Sequence, residues 1–402
     1  MEKSIRGPLS DITVIDMTRV LSGPFAAMWL GEMGANVIKI EIPNGGDESR
    51  RNPPFSTDGT SAFNTTINRN KRSITLDLKK DEGKEIFKEL IKKADVVLEN
   101  FRPDVMDRLG LGYDELKKVN KKIIYASISG FGSTGPYAKR PAYDVIAQAM
   151  GGIMSMVGEE GGEPLKIGAS IGDLTAGMNS IIGILAALHA RSITGKGQRI
   201  ETSLVESIIC LQQSENNRYF VDGELVPRTG SKHATNCPYG AYHAKDGQYM
   251  IGVGKNELWC KLCKKVLNRP ELGNDPRFDS IVNRVAHKDE ICQILESWSM
   301  QHTVEDVVDS LLAEGIPAGP LLTIRELAED PHFSDHRQMF PYMEQPGVGP
   351  FRVTAMPIKF SDTQTAIYRP APALGEHNEE VYSEMLGLDC DTIASLREKG
   401  II

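Results

Sequence analysis

The sequence lacks the segments that would place a protein in a membrane or direct it out of the cell. The longest apolar run among its 402 residues, Ile181 to Leu188, is far shorter than the roughly 20 residues that a helix needs to span a bilayer. Residues 1–10 carry charge and a proline, without the apolar stretch of a signal peptide. We therefore expect a cytoplasmic protein that does not act at a membrane.

Cysteine patterns typical of a disulfide framework or a zinc site are also missing from the sequence. The six cysteines are scattered, and the closest pair, Cys260 and Cys263, has neither a second pair nor two histidines at ligand spacing. Scattered thiols are typical of a reducing compartment, in which disulfides are rare. We therefore expect no metal.

The chain has no excess of positive charge. Its formal net charge is −8 and its pI is near 5.6. Binding to a phosphate backbone requires a clustered excess of Lys and Arg, so we expect no general nucleic-acid binding. An anionic ligand must instead meet a local basic patch.

The glycine-rich fingerprint of dinucleotide-binding enzymes does not occur in the turn after the first predicted strand. That turn, Thr18 to Pro24, contains one glycine where the fingerprint has three. We therefore expect neither NAD nor FAD. The turn still leads into a helix, whose N-terminal amides can bind an anion.

Short β-branched runs alternate with helical stretches through the first part of the chain. This alternation predicts an α/β fold with a parallel sheet. The predicted elements are the strands Ile12–Met17, Val37–Ile40, Ser73–Leu78, Val96–Leu98 and Ile123–Ser127, and the helices Pro24–Met33 and Asp81–Lys93.

The sequence pattern changes near residue 223 and again near residue 325. Between these points lie a Gly- and Pro-containing loop, a short strand at Gln248–Val253 and amphipathic helices. A strand-like run, Val353–Phe360, and a helix, Glu379–Leu386, follow. We predict that residues 1–222 form a large domain, that 223–325 form a smaller one, and that 326–402 return to complete the large domain.

Two cationic segments lie beside predicted strands. Asn68 to Arg72 precedes one strand, and Asn100 to Pro103 follows another. Each alone is more typical of a solvated turn. Together, beside strand ends where α/β sheets bind ligands, they predict a site for a polyanionic nucleotide such as coenzyme A. Phe101 would then contact the adenine.

Asp173 lies at the start of a long apolar helix that the sequence pattern begins at Met178. A lone carboxylate there can cap the helix by accepting its first amides, or it can act as a nucleophile. Nearby, Gly168 to Gly172 fits the G-x-S-x-G pattern of a serine hydrolase, with Ser170 as the nucleophile. The preceding segment, Glu163 to Ile167, is polar and contains a proline, unlike the buried strand that such a motif follows. The hydrolase is therefore a distant alternative.

Seven short motifs occur in one order along the chain: Arg19–Pro24, Gly34–Glu41, Asn70–Ile74, Glu99–Pro103, Tyr143–Asp144, Gly172–Asp173 and Gly375–His377. In this order they resemble the class III coenzyme A transferases of the formyl-CoA transferase, or CaiB/BaiF, type, nearly end to end. The resemblance implies that Asp173 is the nucleophile. It also implies a Rossmann-like large domain built from both chain ends, a smaller α+β domain and an interlocked homodimer.

The resemblance also implies the residues that contact coenzyme A. They are Val20, Leu21, Ser22, Leu76, Asp77, Leu78, Lys79, Asn100, Phe101, Arg102, Arg108, Ala142, Tyr143 and Asp144. The family's mobile glycine-rich loop corresponds to part of Thr229 to Gly240, which has no run of glycines in this chain. Within that segment we expect contacts with the substrate from Lys232, His233 and Tyr239.

The implied reaction moves coenzyme A from an acyl-CoA donor to a free carboxylic acid, through an anhydride and a thioester on Asp173. An alternative within the superfamily is an α-methylacyl-CoA racemase, in which a His acts as a base. Tyr143 occupies that position here, and tyrosine, with a pKa near ~10, is a poor base at neutral pH. A non-catalytic partner subunit that only binds coenzyme A is a further alternative. The sequence does not identify the acyl group.

Overall fold

A computed structural model describes residues 7–402 of the chain, which divides into two compact units. The first unit comprises the chain up to Gly152, then Ile167–Gln212 and Pro331–Ile402. The second comprises Ile153–Lys166 and Gln213–Asp330. These bounds place residues 153–166, 213–222 and 326–330, which the sequence pattern assigned to the large domain, in the second unit. The division into folding domains stays a prediction.

The first unit contains a parallel sheet of six strands in the order β3-β2-β1-β4-β5-β6. This is the strand order of a doubly wound dinucleotide-binding sheet. Strands β2 and β3 are added on one side of β1 and strands β4 to β6 on the other, so the order reverses between β1 and β4. The predicted α/β class with a parallel sheet is confirmed. The strands are β1 Thr13–Asp16, β2 Asn36–Glu41, β3 Lys71–Thr75, β4 Val96–Glu99, β5 Ile124–Ser129 and β6 Arg199–Ser203.

Helices connect these strands and continue into the last part of the chain. A short 3-10 turn covers Glu48–Arg51, and another, Ile153–Met156, belongs to the second unit. A two-stranded hairpin, β10 Tyr342–Gln345 and β11 Gly349–Arg352, also lies in the first unit. The helices of this unit are α1 Ser22–Glu32, α2 Ala62–Asn68, α3 Asp81–Ile91, α4 Val105–Arg108, α5 Tyr113–Val119, α6 Asp144–Met150, α7 Ile171–Thr194, α8 Leu204–Cys210, α15 Asn378–Leu386 and α16 Cys390–Glu398.

The second unit packs helices around a three-stranded antiparallel sheet of order β7-β8-β9. Buried Trp259 and Phe278, with ring centroids 5.7 Å apart, lie in its core. Its elements are α9 Gln213–Asp222, β7 Tyr239–Ala244, β8 Gly247–Gly252, α10 Asn256–Lys261, a π-turn Leu262–Val266, a 3-10 turn Pro270–Asn274, α11 Ile281–Ala286, α12 Lys288–Ser299, α13 Val304–Ala313, β9 Ala318–Pro320 and α14 Ile324–Glu329. A further π-turn, His332–His336, follows in the sequence and belongs to the first unit.

The predicted strand at Val353–Phe360 is wrong, because this segment is neither strand nor helix. Pro357 lies within it and cannot donate to a ladder, and the observed strand β11 ends before it, at Arg352. Helix α16 was not predicted. The β-branched pattern also placed strand β3 too late, since it begins at Lys71, inside the basic run.

Helix α15 covers the edge strand β3 of the large sheet. Asn378 Oδ1 accepts the Thr75 amide at 2.8 Å, and the Tyr382 hydroxyl donates to the Thr75 carbonyl oxygen at 2.6 Å. Arg72, from the predicted cationic segment, pairs with Glu380 and Glu384 of the same helix. Residues near 380 therefore cover the edge of a sheet that lies in the first half of the chain.

The remaining cations of the Asn68–Arg72 segment are buried in ion pairs. Arg69 binds Glu32 with an Nε to Oε1 distance of 2.7 Å, and both side chains are almost fully buried. Lys71 Nζ lies 2.9 Å from Asp16 Oδ2, with both side chains at 0% exposure. These charges are paired with buried acids and cannot reach a ligand, so the prediction that this segment binds a nucleotide is wrong. A run of cations cannot show from sequence alone whether buried acids meet it.

A third buried ion pair holds the turn between β1 and α1. Lys39 Nζ lies 2.8 Å from Asp47 Oδ2, and both side chains have 0% exposure. Lys39 also donates to the Thr18 carbonyl oxygen at 2.9 Å, while Asp47 Oδ1 accepts the amides of Val20 and Ser49. Burial alone would raise the Asp47 pKa, but the Lys39 charge and these hydrogen bonds outweigh it and lower the pKa to about 2.

Helix α7 is long and apolar enough to cross a membrane, judged by length and composition alone. One face, which includes Ala176, Ile181 and Ile184, is buried, and the helix packs on α1, β5 and β6. Core helices of globular proteins have the same length and composition. The apolar run that the sequence suggests, Ile181 to Leu188, is therefore the middle of a longer packed helix.

We predict that Asp47→Asn lowers the free energy of unfolding by about 3 to 5 kcal/mol, because it leaves the Lys39 ammonium buried without a counter-charge. Equilibrium urea unfolding at pH 7 measures the loss. Because the Asp47 pKa is lowered from 3.8 to about 2, its contribution is present above pH 4 and is lost as the pH falls towards 2.

The matched control for this pair is Glu89→Gln, which breaks the exposed Lys92–Glu89 pair. We expect a change within about 0.5 kcal/mol for the control. Equal and small losses in both variants would contradict the role assigned to the buried pair.

Candidate active site

A cavity of about 370 Å³ opens at the carboxyl ends of β1, β4 and β5. In doubly wound sheets, ligands bind where the strand order reverses, and β1 and β4 form that point here. Nine of the predicted site residues line the cavity. They are Val20, Leu21, Ser22, Asn100, Phe101, Arg102, Ala142, Tyr143 and Asp173.

Hydrogen bonds of the Asn100 side chain join the turn after β4 to the turn after β1. Asn100 Oδ1 accepts the Arg19 amide at 2.8 Å, and Asn100 Nδ2 donates to the Arg19 carbonyl oxygen at 2.8 Å. The Arg19 guanidinium lies over the Phe101 ring, 5.0 Å from its centroid. These contacts bring two predicted segments, 81 residues apart in sequence, to one wall of the cavity.

Val20 adopts a left-handed backbone conformation in this turn, with a φ of 67°. A β-branched residue rarely adopts this conformation, and such strain costs of order 1 to 3 kcal/mol. The Asp47 carboxylate holds the Val20 amide at 3.2 Å. The buried Lys39–Asp47 pair therefore supports a strained backbone at the cavity.

Asp173 is the third residue of α7, which begins at Ile171 rather than at Met178. The residue that accepts the first amides of this helix is Asp144, whose Oδ1 lies 2.7 Å from the Gly172 nitrogen and 3.4 Å from the Asp173 nitrogen. Gln148 holds Oδ2 of Asp144 at 2.7 Å. The capping role therefore belongs to Asp144. Asp173 is left free of it, with its side chain at the cavity.

The carboxyl group of Asp173 is in an environment that disfavours its negative charge. Burial and the nearby Asp144 carboxylate raise its pKa to about 7, and a hydrogen bond from the Ser22 hydroxyl partly opposes this rise. Because Asp144 takes the amides of Gly172 and Asp173, those amides are not directed at the Asp173 carboxylate. A half-buried carboxyl group with a raised pKa in a cavity is a typical mark of a functional site.

Residues that the sequence analysis did not assign also line the cavity. Arg19 and Arg140 add positive charge beside Arg102, and Glu48 adds a carboxylate. Arg140 lies over the Tyr137 ring, 4.0 Å from its centroid, three residues before the Tyr143–Asp144 motif. The basic patch that an acidic chain needs for an anionic ligand is therefore here, and the segment 68–72 does not form it.

Comparison with known proteins gives the same family as the order of the motifs. The family model described as CoA-transferase family III matches residues 9–378. The chain belongs to CoA-transferase family III. It is 38% identical over 387 residues to succinyl-CoA:mesaconate CoA-transferase of Haloarcula hispanica, covering 94% of this chain and 96% of that protein.

Other members of the family match over similar lengths. Formyl-CoA:oxalate CoA-transferase of Streptomyces coelicolor is 38% identical over 410 residues, covering 98% of this chain and 99% of the relative. The crystal structure of a CaiB/BaiF family protein from Brucella suis has a TM-score of 0.83 and 36% identity, and covers 94% of this chain and all of that one. The resemblance inferred from the motifs is confirmed, and this chain is a class III CoA-transferase.

Six predicted coenzyme A contacts of this CoA-transferase do not line the cavity. Leu76 is buried in the core, and the Asp77 amide donates to the Ile401 carbonyl oxygen at 2.8 Å. Arg108 is exposed, and its Nε donates to the Asp104 carbonyl oxygen at 3.3 Å. The other three are Leu78, Lys79 and Asp144, and Asp144 accepts the first amides of α7. Their contacts with coenzyme A stay predictions.

The predicted substrate residues lie together in the second unit. The His233 and Tyr239 rings are 5.1 Å apart, and the His233 amide donates to the Tyr239 carbonyl oxygen at 2.8 Å. Lys232 Nζ donates to Cys292 Sγ at 3.4 Å and lies over the Tyr242 ring. Their role in binding a substrate stays a prediction.

The structural context of a serine hydrolase is not present around Ser170. Residues 163–167 form neither strand nor helix, although a nucleophile elbow requires a strand there. Ser170 instead occupies the N-cap position of α7. Within residues 7–402, no group of three or more His, Cys, Asp and Glu side chains is arranged to hold a metal ion.

We predict that Asp173→Asn makes the CoA-transferase more stable at neutral and higher pH. The Asp173 pKa is raised from 3.8 to about 7, so the ionised carboxyl group increasingly destabilises the folded state between pH 4 and pH 7. Above pH 7 the variant should be more stable by roughly 2 to 4 kcal/mol, and below pH 4 the difference should vanish.

Urea unfolding at pH 4, 6 and 8 measures this gain. Asp391→Asn, at an exposed position in the first turn of α16, is the matched control for the chemical change. A variant at position 173 that is less stable than the parent at pH 8 would contradict the raised pKa.

Proposed function

We propose that this CoA-transferase transfers coenzyme A from an acyl-CoA to a free carboxylic acid through covalent intermediates on Asp173. The observation that carries the proposal is a half-buried carboxyl group with a raised pKa at the strand-order reversal, in a cavity that three arginines also line. The names of the relatives describe CoA transfer between acids. We propose the same reaction class for this chain.

The proposed reaction begins when the Asp173 carboxylate attacks the thioester carbonyl of the donor. The carbon–sulfur bond breaks, which gives a mixed anhydride of Asp173 and the acyl group and leaves the coenzyme A thiolate in place. The thiolate then attacks the Asp173 carbonyl carbon, which releases the donor acid and forms an aspartyl-CoA thioester. The acceptor carboxylate repeats both steps in reverse order. No proton or external energy source is consumed.

The surroundings of Asp173 favour a nucleophilic carboxylate. A carboxylate with few hydrogen bonds in a buried site is less stabilised than one in water, so forming the uncharged anhydride carries a smaller free-energy cost. With its pKa raised to about 7 by burial and by Asp144, Asp173 is ionised in a large fraction of molecules at neutral pH. The Asp173 carboxylate is therefore reactive, and enough of it is ionised at neutral pH to act as a nucleophile.

The cations at the cavity fit the phosphate groups of coenzyme A. Arg19, Arg102 and Arg140 line the same cavity as Asp173, in a chain whose formal net charge is −8. Guanidinium groups bind phosphates with paired hydrogen bonds. We propose that these arginines bind the nucleotide part, together with the predicted contacts Leu76, Asp77, Leu78, Lys79 and Arg108.

The names of several relatives support a dicarboxylic acid as the acceptor. They include succinyl-CoA:mesaconate, succinyl-CoA--D-citramalate and succinate--glutarate CoA-transferases. We propose a short dicarboxylate and its CoA ester as the substrate pair. A panel of CoA esters and acids, assayed by liquid chromatography of the CoA products, would identify the pair.

The racemase alternative predicts a different outcome from the same assay. Tyr143 lines the cavity and is 74% exposed, so its ring is within reach of a bound ligand. A racemase would exchange the α-hydrogen of an acyl-CoA with deuterium from the solvent without an acceptor acid. We expect no such exchange above the uncatalysed rate.

We also propose that two copies of the chain form a homodimer through α7. Its side chains Met178, Ile182 and Leu185 are exposed at helical spacing, with Ile182 at 65% exposure. An apolar stripe of this kind on a long helix is typical of an interface. The interlocked arrangement and the cytoplasmic location are proposals of the same kind.

We predict that Asp173→Ala lowers turnover at least about 1,000-fold, because the covalent route requires the carboxylate. The affinity for free coenzyme A, measured by calorimetry, should change less than about threefold. Asp391→Ala is the control.

Intact-protein mass spectrometry of the parent enzyme with acyl-CoA should reveal a CoA-sized adduct that maps to Asp173 and disappears after borohydride reduction. Normal turnover of Asp173→Ala, or an adduct on another residue, would overturn the mechanism.

We predict that Ile182→Lys weakens the dimer, because it places a charge in the apolar stripe of α7. Light scattering coupled to size exclusion should give twice the chain mass of 44.2 kDa for the parent protein and a lower average mass for the variant. Ile324→Lys, on an 84% exposed side chain of α14, is the control and should keep the parent mass. Equal masses for all three proteins would contradict this interface.

A further inference from the structure

Ser22 is the first residue of α1, and only 4% of it is exposed. Its side chain lowers the pKa of the Asp173 carboxyl group, as a hydrogen-bond donor would, and both residues line the same cavity. Asn100 Nδ2 lies 3.4 Å from the Ser22 oxygen. The three side chains therefore form a short chain of contacts that ends at the proposed nucleophile.

The orientation of Asn100 is fixed by the backbone of Arg19. The Arg19 amide can only donate, so the Asn100 atom that faces it at 2.8 Å is the oxygen. The Asn100 nitrogen therefore faces the Arg19 carbonyl and the Ser22 oxygen, and it can only donate to them. Because Ser22 accepts on that side, its own proton is available for Asp173.

The packing of α1 against α7 keeps Ser22 opposite Asp173. Gly177 lies one helical turn after Asp173, and a Cβ at that position would lie 2.7 Å from the Ser22 carbonyl oxygen and 2.9 Å from the Phe25 ring. Such distances require a glycine, because any larger residue would push the two helices apart. The close approach places the start of α1 directly beside the first turn of α7.

We infer that Ser22 is a positioning residue for the proposed reaction: its hydroxyl group, held by Asn100, donates to the Asp173 carboxylate and stabilises the ionised, reactive form. This inference rests on the proposed function and assigns to Ser22 a task beyond contact with coenzyme A. The hydroxyl group orients the attacking oxygen atoms and opposes the effect of burial. It takes no part in bond making.

The other charged and titratable groups around Asp173 have different effects. Asp144, from α6, raises its pKa. Those that line the cavity are Arg19, Glu48, Arg102, Arg140 and Tyr143. None of them changes in a Ser22 variant, so a shift in the pH dependence after that substitution reports on the lost hydroxyl group.

The test is the pH profile of kcat/KM for Ser22→Ala, measured between pH 5 and pH 10. We expect the rising limb of the Ser22→Ala profile to move to higher pH by about one unit. The kcat/KM of the variant should then be about tenfold below that of the parent enzyme at pH 6, and the two should agree above pH 9. Ser22→Cys, with a weaker donor, should lie between the two profiles. Ser129→Ala, which removes another hydroxyl group from the same cavity, should leave the position of the limb unchanged.

A loss by the same factor at every pH would overturn the inference, since it would indicate only a packing role. An unchanged profile would also overturn it. Failure of the proposed function is distinguishable, because Asp173→Ala would then retain turnover and the parent enzyme would form no adduct on Asp173. The adduct experiment is therefore performed first on the parent enzyme.

Discussion

The buried Lys39–Asp47 pair is the interaction on which the site depends. Two charges at 0% exposure contribute little net stability, because their removal from water offsets much of their attraction. Their effect is on geometry: Lys39 binds the Thr18 carbonyl oxygen and Asp47 binds the Val20 amide. Together they hold the turn after β1 in a conformation that Val20 would not adopt alone.

That turn determines what the cavity can contain. It presents the Arg19 backbone to Asn100 and directs the start of α1 at the first turn of α7. On the opposite side, Asp144 ties α6 to the N-terminus of α7. The cavity thus has two anchored walls, and Asp173 lies between them with little charge compensation. A carboxyl group in this position is costly to ionise, which is the usual trade of stability for reactivity at an active site.

Much of this could be predicted from the sequence, and the failures have identifiable causes. The β/α alternation predicts the sheet because buried parallel strands are short and β-branched, and the motif order predicts Asp173. The basic run at residues 69–72 was misinterpreted because its acidic partners, such as Glu32 and Glu380, are distant in sequence. Arg140 and Glu48 were missed because only the folded loops bring them to the cavity. The start of α7 was misplaced because the residue that caps it, Asp144, belongs to another helix.

The way in which α15 covers β3 also bears on how the protein folds during synthesis. Thr75 is bonded to Asn378 and Tyr382, some 300 residues later in the chain. The edge strand of the large sheet therefore stays uncovered until almost the whole chain has left the ribosome. The six strands lie between residues 13 and 203, so they are available before the helix that covers this edge. During that interval, the exposed edge of β3 is the surface on which a nascent chain of this protein is most open to wrong strand pairing.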